Sequence, residues 1–158
     1  MKLKWKRLDG HSGHDAAREL LATMYFEENR CELPSILRTE QGKPYFPDGN
    51  WHFSISHTDD HAFCALSQCN IGIDAESMDR EIDPRVGRRY LSESEQKRVE
   101  NSRDKRAALL RLWVLKEAYA KLTGRGIGNW LKSTDFDPED TRITCIDGCY
   151  VAILEEEK

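Results

Sequence analysis

Three short stretches of the chain hold residue types at spacings that could do chemistry. The first is IGIDAE (71–76). In a strand successive side chains point to opposite faces, so Ile71, Ile73 and Ala75 share one face and Gly72, Asp74 and Glu76 the other. Two carboxylates side by side above the gap left by a glycine repel one another unless a cation or a rim of water relieves them. Hard oxygen donors of this kind suit Mg2+, which keeps several waters and completes its shell with substrate phosphates. On the hexapeptide alone, an exposed strand end with ordinary surface acids explains the pattern at least as well. The second stretch is RLWVLKEAYAKLTGRG (111–126). Helical spacing puts Ala108, Leu112, Leu115, Tyr119 and Leu122 on a core stripe. A second stripe aligns Leu110, Trp113, Glu117 and Lys121, an aromatic wall followed by an acid and a cation. The plain alternative is a solvated Glu–Lys pair worth about 0.3–0.5 kcal/mol, which the large Trp113 ring weakens by shielding. The third stretch joins GKPYF (42–46) to FSISHT (53–58). There Lys43 in a Gly-Pro turn, with Ser56 and His57 at a strand end, are suitable donors to phosphate. The HTDDH run (57–61) has its histidines across a turn rather than along a helix and is not read as a metal site.

The elements that must position these residues follow from pattern. Residues 2–8 alternate as a first strand, and Ala17, Leu20, Leu21, Met24 and Tyr25 recur at helical spacing over 14–28. Residues 33–50 carry Pro34, Gly42, Pro44, Pro47 and Gly49 and read as loop with short extended pieces. WHFSISH (51–57), AFCALS (62–67) and NIGIDAE (70–76) predict three strands of an antiparallel meander. Helices are expected over 84–91, 93–101 and 103–122, the middle one opened by a Ser92/Glu95 capping box. TDF (134–136), RITCI and YVAIL return to β-structure through the Asp147-Gly148 turn. Strands, then helices, then strands predict an α+β fold, an antiparallel sheet packed against a long helix.

A chain of 158 residues is read as one domain, long enough to bury its own core. The formal net charge of −4 argues against a nucleic-acid-coating protein. No apolar run approaches a membrane span, and the opening MKLKWKRLDG lacks a signal-peptide core. A cytoplasmic protein without nucleic-acid or membrane partners is expected. The cysteines (Cys31, Cys64, Cys69, Cys145, Cys149) form no C-x-x-C and are expected to be reduced, half-buried small residues. Residues 80–125 hold thirteen Lys/Arg against seven Asp/Glu, so this segment carries +6 and the remainder −10. A local anionic partner or a solvated helical face accounts for that equally well.

In this order and spacing, GKPYF, FSISH, IGIDAE, YLSESE and WVLKEAYAKLTGRG resemble the 4′-phosphopantetheinyl transferases, and among them the surfactin-synthetase-activating branch. Each motif alone is weak, but five in register across most of the chain are specific. The resemblance implies a 4′-phosphopantetheinyl transferase-like fold. It also implies Mg2+-dependent transfer of the phosphopantetheine arm of coenzyme A to a serine of an apo acyl or peptidyl carrier protein, releasing 3′,5′-ADP, with Mn2+ left open as the ion. Residue by residue, Asp74, Glu76 and Glu117 fall on the family's metal-binding acids, and Glu117 on the base that takes the serine proton. Lys121 falls on the lysine beside the diphosphate. Lys43, Ser56 and His57 fall on coenzyme A contacts, and Lys116 and Arg18 on positions also implicated in cofactor binding. Catalysis is thus expected from Glu117, Lys121 and Asp74. Carrier proteins are typically acidic, which fits the basic segment.

Only 42 residues precede Lys43, fewer than in two-repeat members of the branch. The expectation is a compressed N-terminal part over 1–50, with Lys2 to Arg7 supplying a reduced pseudo-repeat, and a catalytic half over 51–158; a site shared between subunits is the alternative. Three rival functions stay open. A silent homologue that binds coenzyme A or a carrier should have lost an acid or Lys121, and all four are present. A metal nuclease would place a lysine two residues beyond the strand acids, where Met78 stands. A purely structural domain leaves the acid grouping without a cause.

Overall fold

A computed structural model describes residues 1–157. In chain order the elements are β1 (Lys2–Arg7), α1 (Gly13–Asn29), the short pair β2 (Leu37–Arg38) and β3 (Pro44–Tyr45), β4 (His52–His57), β5 (His61–Ser67) and β6 (Ile71–Ser77). Then come α2 (Arg85–Tyr90), α3 (Glu93–Asn101), α4 (Lys105–Thr123), a 3-10 turn (Asn129–Ser133), β7 (Ile143–Ile146) and β8 (Cys149–Glu155). Local chemistry sets the ends. The Ser92 hydroxyl accepts from Glu95 N while the Glu95 carboxylate accepts from Ser92 N, the full capping box for α3. Asp104 caps α4 at Ala107 N, 2.9 Å, and Gly124 closes it in the left-handed region at φ 71°.

Two three-stranded antiparallel sheets form, ordered β1-β5-β4 and β6-β8-β7. Both are built alike, from a strand, a long helix, and a hairpin whose second strand takes the middle position. The halves are therefore β1–α1–β4–β5 and β6–α4–β7–β8, and the chain passes between them after Ser67. A division at residue 50 is corrected accordingly, because β4 and β5 share their sheet with β1. The three-strand meander is corrected too. β5 has both edges occupied, by β1 and β4, so β6 cannot join it and pairs with β8 instead. What links β6 to the first sheet is a pair of hydroxyls. Ser54 Oγ accepts from Ile73 N at 3.0 Å and Ser56 Oγ from Ala75 N at 3.1 Å. Thr134–Phe136 is no strand: Thr134 N donates to Leu131 O and Phe136 N to the Glu95 carboxylate, so side chain and turn have taken the ladder groups.

Ile71, Ile73 and Ala75 face inward with Phe63, Ala65 and Val151. The helix α4 departs from the two-stripe pattern, since Leu109, Leu110, Trp113, Val114, Lys116, Ala118 and Ala120 are buried along with Ala108, Leu112, Leu115 and Leu122 of the expected core stripe, whereas Tyr119 is half-buried. It shares its core with Ile143, Ala152 and Leu154 of the second sheet. Gly72 lets it come close, for a Cβ there would stand 2.5 Å from Leu122 N. All five cysteines are free; Cys64 and Cys149 are buried, whereas Cys31 and Cys145 are exposed rather than half-buried.

Candidate active site

The outward face of β6 carries Asp74 and Glu76, and the face of α4 packed above it carries Glu117 and Lys121. Strand alternation and helical spacing put each pair in line; the close approach at Gly72 brings the lines together. Asp74, Glu76 and Glu117 each offer an oxygen, all within 4.8 Å of one another. Asp74 is only 2% exposed. Its Oδ1 accepts from Lys121 Nζ at 2.8 Å and from Ser56 Oγ at 3.0 Å. Its Oδ2 is buried without a hydrogen-bond partner, a costly arrangement that a cation would relieve. Glu76 pairs with Arg80. Burial, with the Asp74 charge as the second cause, pushes the Glu117 carboxyl up to about 8, against the pull of Lys121. Three hard oxygen donors and one orphaned carboxylate oxygen fit Mg2+ or Mn2+.

These groups stand where two cavities meet. One of about 820 Å³ is bordered by Ser56, His57, Asp59, Asp74, Glu76 and Arg80. The other, about 350 Å³, is bordered by Arg38, Lys43, Pro44, Phe53, Gly124 and Ile127. His14, Ile55, Glu117 and Lys121 line both. Together they make an elongated groove across the junction of the two halves, polar at one end and more apolar at the other.

The structure sorts the sequence-based set. Asp74, Glu76, Glu117, Lys121, Ser56 and His57 converge on the larger cavity. Lys43 reaches the smaller one, but its ammonium donates to the Leu122 carbonyl at 2.5 Å and to Asn70, closing the C-terminus of α4, and burial lowers its pKa. Lys116 is corrected. It is fully buried, paired with Glu95 at 2.7 Å, and donates to Leu131 O at 2.8 Å and to Thr134. One residue is about 100° on a helix, so Lys116 looks away from the acids that Glu117 faces. Arg18 lies on the exposed side of α1, outside the lining of both cavities. Sequence reasoning missed His14 and Arg80. His14 follows the Ser12 cap at the start of α1, where Gly13 packs on the His57 ring so closely that a Cβ would stand 2.6 Å from it. Arg80 reaches Glu76 through the turn after β6, where Arg80 N donates to Ser77 O at 3.0 Å, and four-residue spacing on a strand gave no signal of it.

Much of the basic segment is internally paired: Arg85 with Asp83, Arg98 with Asp135, Arg111 with Glu139. Arg88 and Arg89 of α2 enter no ion pair among the described residues, and Arg89 lies over the Tyr90 ring at 5.3 Å.

Acids from a strand and a helix, gathered round a lysine at the junction of two like halves, agree with what sequence comparison finds. Residues 70–151 match the 4'-phosphopantetheinyl transferase superfamily, and the chain belongs to that family. It is 32% identical over 139 residues to the 4'-phosphopantetheinyl transferase gsp of Aneurinibacillus migulanus, covering 81% of this chain and 57% of that protein. It is 35% identical over 129 residues to the 4'-phosphopantetheinyl transferase psf-1 of Bacillus pumilus, covering 75% of this chain and 55% of that protein. The chain thus spans little more than half the length of these relatives. No helix among the described residues is long and apolar enough to cross a membrane.

Proposed function

We propose that the chain transfers the 4′-phosphopantetheine group of coenzyme A to a serine of an apo acyl or peptidyl carrier protein, releasing 3′,5′-ADP, in the cytoplasm. The observation that carries this reading is the grouping of Asp74, Glu76 and Glu117 within 4.8 Å beside Lys121. Their position at the meeting of two cavities suits a long substrate with its diphosphate in the middle. The three acids would hold Mg2+, which supplies charge neutralisation on the diphosphate oxygens. The family membership and the names of the relatives support the same chemistry.

In the transfer the carrier serine Oγ forms a bond to the phosphorus that bears pantetheine, and the P–O bond to the adenylate side breaks. The leaving 3′,5′-ADP takes the electron pair of that bond. Glu117 accepts the serine proton in the ionised form that it would take beside the cation. Lys121 sits where it can meet charge building on the diphosphate, and His57 borders the same cavity as a further donor. Phosphoryl transfer asks the protein mainly for such positioning and charge stabilisation. Lys43 contributes by holding the end of α4, and Lys116 and Arg18 play no part in the cavity. Arg88 and Arg89, with Tyr90, offer a basic surface to an acidic carrier.

The test is intact mass of a panel of apo carrier proteins after incubation with the chain, coenzyme A and Mg2+. One phosphopantetheine added on serine is expected. Asp74→Ala and Glu117→Ala should each lower kcat/KM by at least about 10³, roughly 4 kcal/mol of transition-state stabilisation. Glu76→Ala should cost less, since water can fill one Mg2+ position. Coenzyme A binding without transfer to any carrier would favour a silent homologue, and near-parental rates for both variants at saturating Mg2+ would remove the metal assignment.

A further inference from the structure

Ser56 falls on a coenzyme A contact by resemblance, yet its hydroxyl is already engaged with the protein. A serine hydroxyl has one hydrogen to donate and two lone pairs. The hydrogen goes to Asp74 Oδ1 at 3.0 Å, and a lone pair accepts the Ala75 N–H at 3.1 Å. The residue is 6% exposed. We propose that Ser56 is a positioning residue for Asp74, holding its carboxylate so that Oδ2 faces the cation site.

The geometry gives each Asp74 oxygen one task. Oδ1 receives two donors, Ser56 Oγ and Lys121 Nζ, while Oδ2 receives none and is buried. A carboxylate held by one oxygen presents the other at a fixed angle. Lys121 alone would hold it less well, since its side chain is 34% exposed and is the group expected to move toward a bound diphosphate. Ser56 has no such freedom, because the Ala75 bond fixes it to the strand that carries Asp74.

Ser54 supplies an internal comparison. It stands two residues earlier on the same face of β4 and makes the same seam bond, accepting from Ile73 N at 3.0 Å. The β6 residue beside that bond is Gly72, which has no carboxylate to hold. The two serines therefore share the task of joining the sheets, and only Ser56 has the second one.

The inference rests on the metal reading proposed above, and its test separates the two. Mn2+ binding to the metal-free chain is followed by the electron paramagnetic resonance signal of the free ion, with no coenzyme A or carrier present. Ser54→Ala and Ser56→Ala should lower the melting temperature similarly, each leaving one strand N–H without its acceptor. Only Ser56→Ala should weaken Mn2+ binding, by the 10–100-fold typical of removing a group that orients a ligand. Ser56→Cys, with a weak thiol donor of similar size, covers the case in which Ser56→Ala does not fold, and should show a smaller loss in the same direction. Equal Mn2+ affinity in the parent and the Ser56 variants, or an equal loss in Ser54→Ala, would overturn the positioning role alone. Absence of a saturable Mn2+ site in the parent chain would overturn both the inference and the metal reading.

Discussion

Gly72→Ala tests how the site is assembled without touching any group that does chemistry. A methyl at this position would stand 2.5 Å from Leu122 N and closer still to the Ala118 carbonyl oxygen, whereas real Cβ atoms essentially never approach within 3.0 Å. The obstacle is helix backbone, which cannot turn aside as a flexible side chain would. To bring the Ala118 oxygen out to that limit, helix α4 must retreat from β6 by about 0.9 Å. Overpacking of this kind costs about 1–3 kcal/mol, and a backbone obstacle places Gly72→Ala at the upper end. For a chain of this size 1 kcal/mol moves Tm by about 2–4 °C, so a fall of roughly 6–12 °C is expected by calorimetry. The same retreat separates Glu117 and Lys121 on the helix from Asp74 and Glu76 on the strand. Since a 1 Å misplacement can cost about 10²-fold in rate, a retreat of nearly that distance should lower kcat by about 10- to 100-fold. A Tm within 2 °C of the parent together with an unchanged rate would refute the claim that the helix is seated on this glycine.

Three further outcomes are expected. Lys116→Met should destabilise the chain by about 3–5 kcal/mol, because it leaves Glu95 as a buried anion; thermal melts should record that loss while KM for coenzyme A stays unchanged. In the metal-free chain the Glu117 carboxyl, at about 8 against an ordinary 4.5, keeps a proton that the unfolded chain releases between those values. Its contribution to stability is present below pH 4.5 and is lost as pH rises through about 8. Stability should thus fall over that window relative to Glu117→Gln, and Mg2+ binding at pH 7 should release up to one proton, measurable by titration calorimetry in buffers of different ionisation enthalpy. Reversing Arg88 and Arg89 to Glu should raise KM for an acidic carrier and spare kcat, and the parent's carrier KM should rise with salt as the attraction is screened over about 8–10 Å. A carrier KM indifferent to both would assign docking elsewhere.

Local rules made much of this protein legible in one dimension. The placing of Asp74 and Glu76 on one face of a strand, and of Glu117 above Lys121 on a helix, depends only on the periods 2 and 3.6, which any strand or helix obeys. The caps at Ser92 and Gly124 and the Asp147-Gly148 turn are likewise chemistry between near neighbours. The family motifs, read in order, added the expectation that the two lines of residues meet. What the tertiary structure decided were the choices between distant partners. Whether β6 pairs with β5 or β8 turns on both β5 edges being occupied, by β1 and β4, which begin 50 residues apart at Lys2 and His52. Whether Lys116 or Lys121 enters the site turns on where Glu95 lies, a carboxylate on another helix. Helix α4 buries eleven of its nineteen residues, among them Lys116 and residues of both stripes, so polarity along the sequence could not tell which sides are covered. Ser56 looked like a phosphate donor because a hydroxyl is one; only the arrival of β6 beside it engaged that hydroxyl with Asp74 and the Ala75 amide.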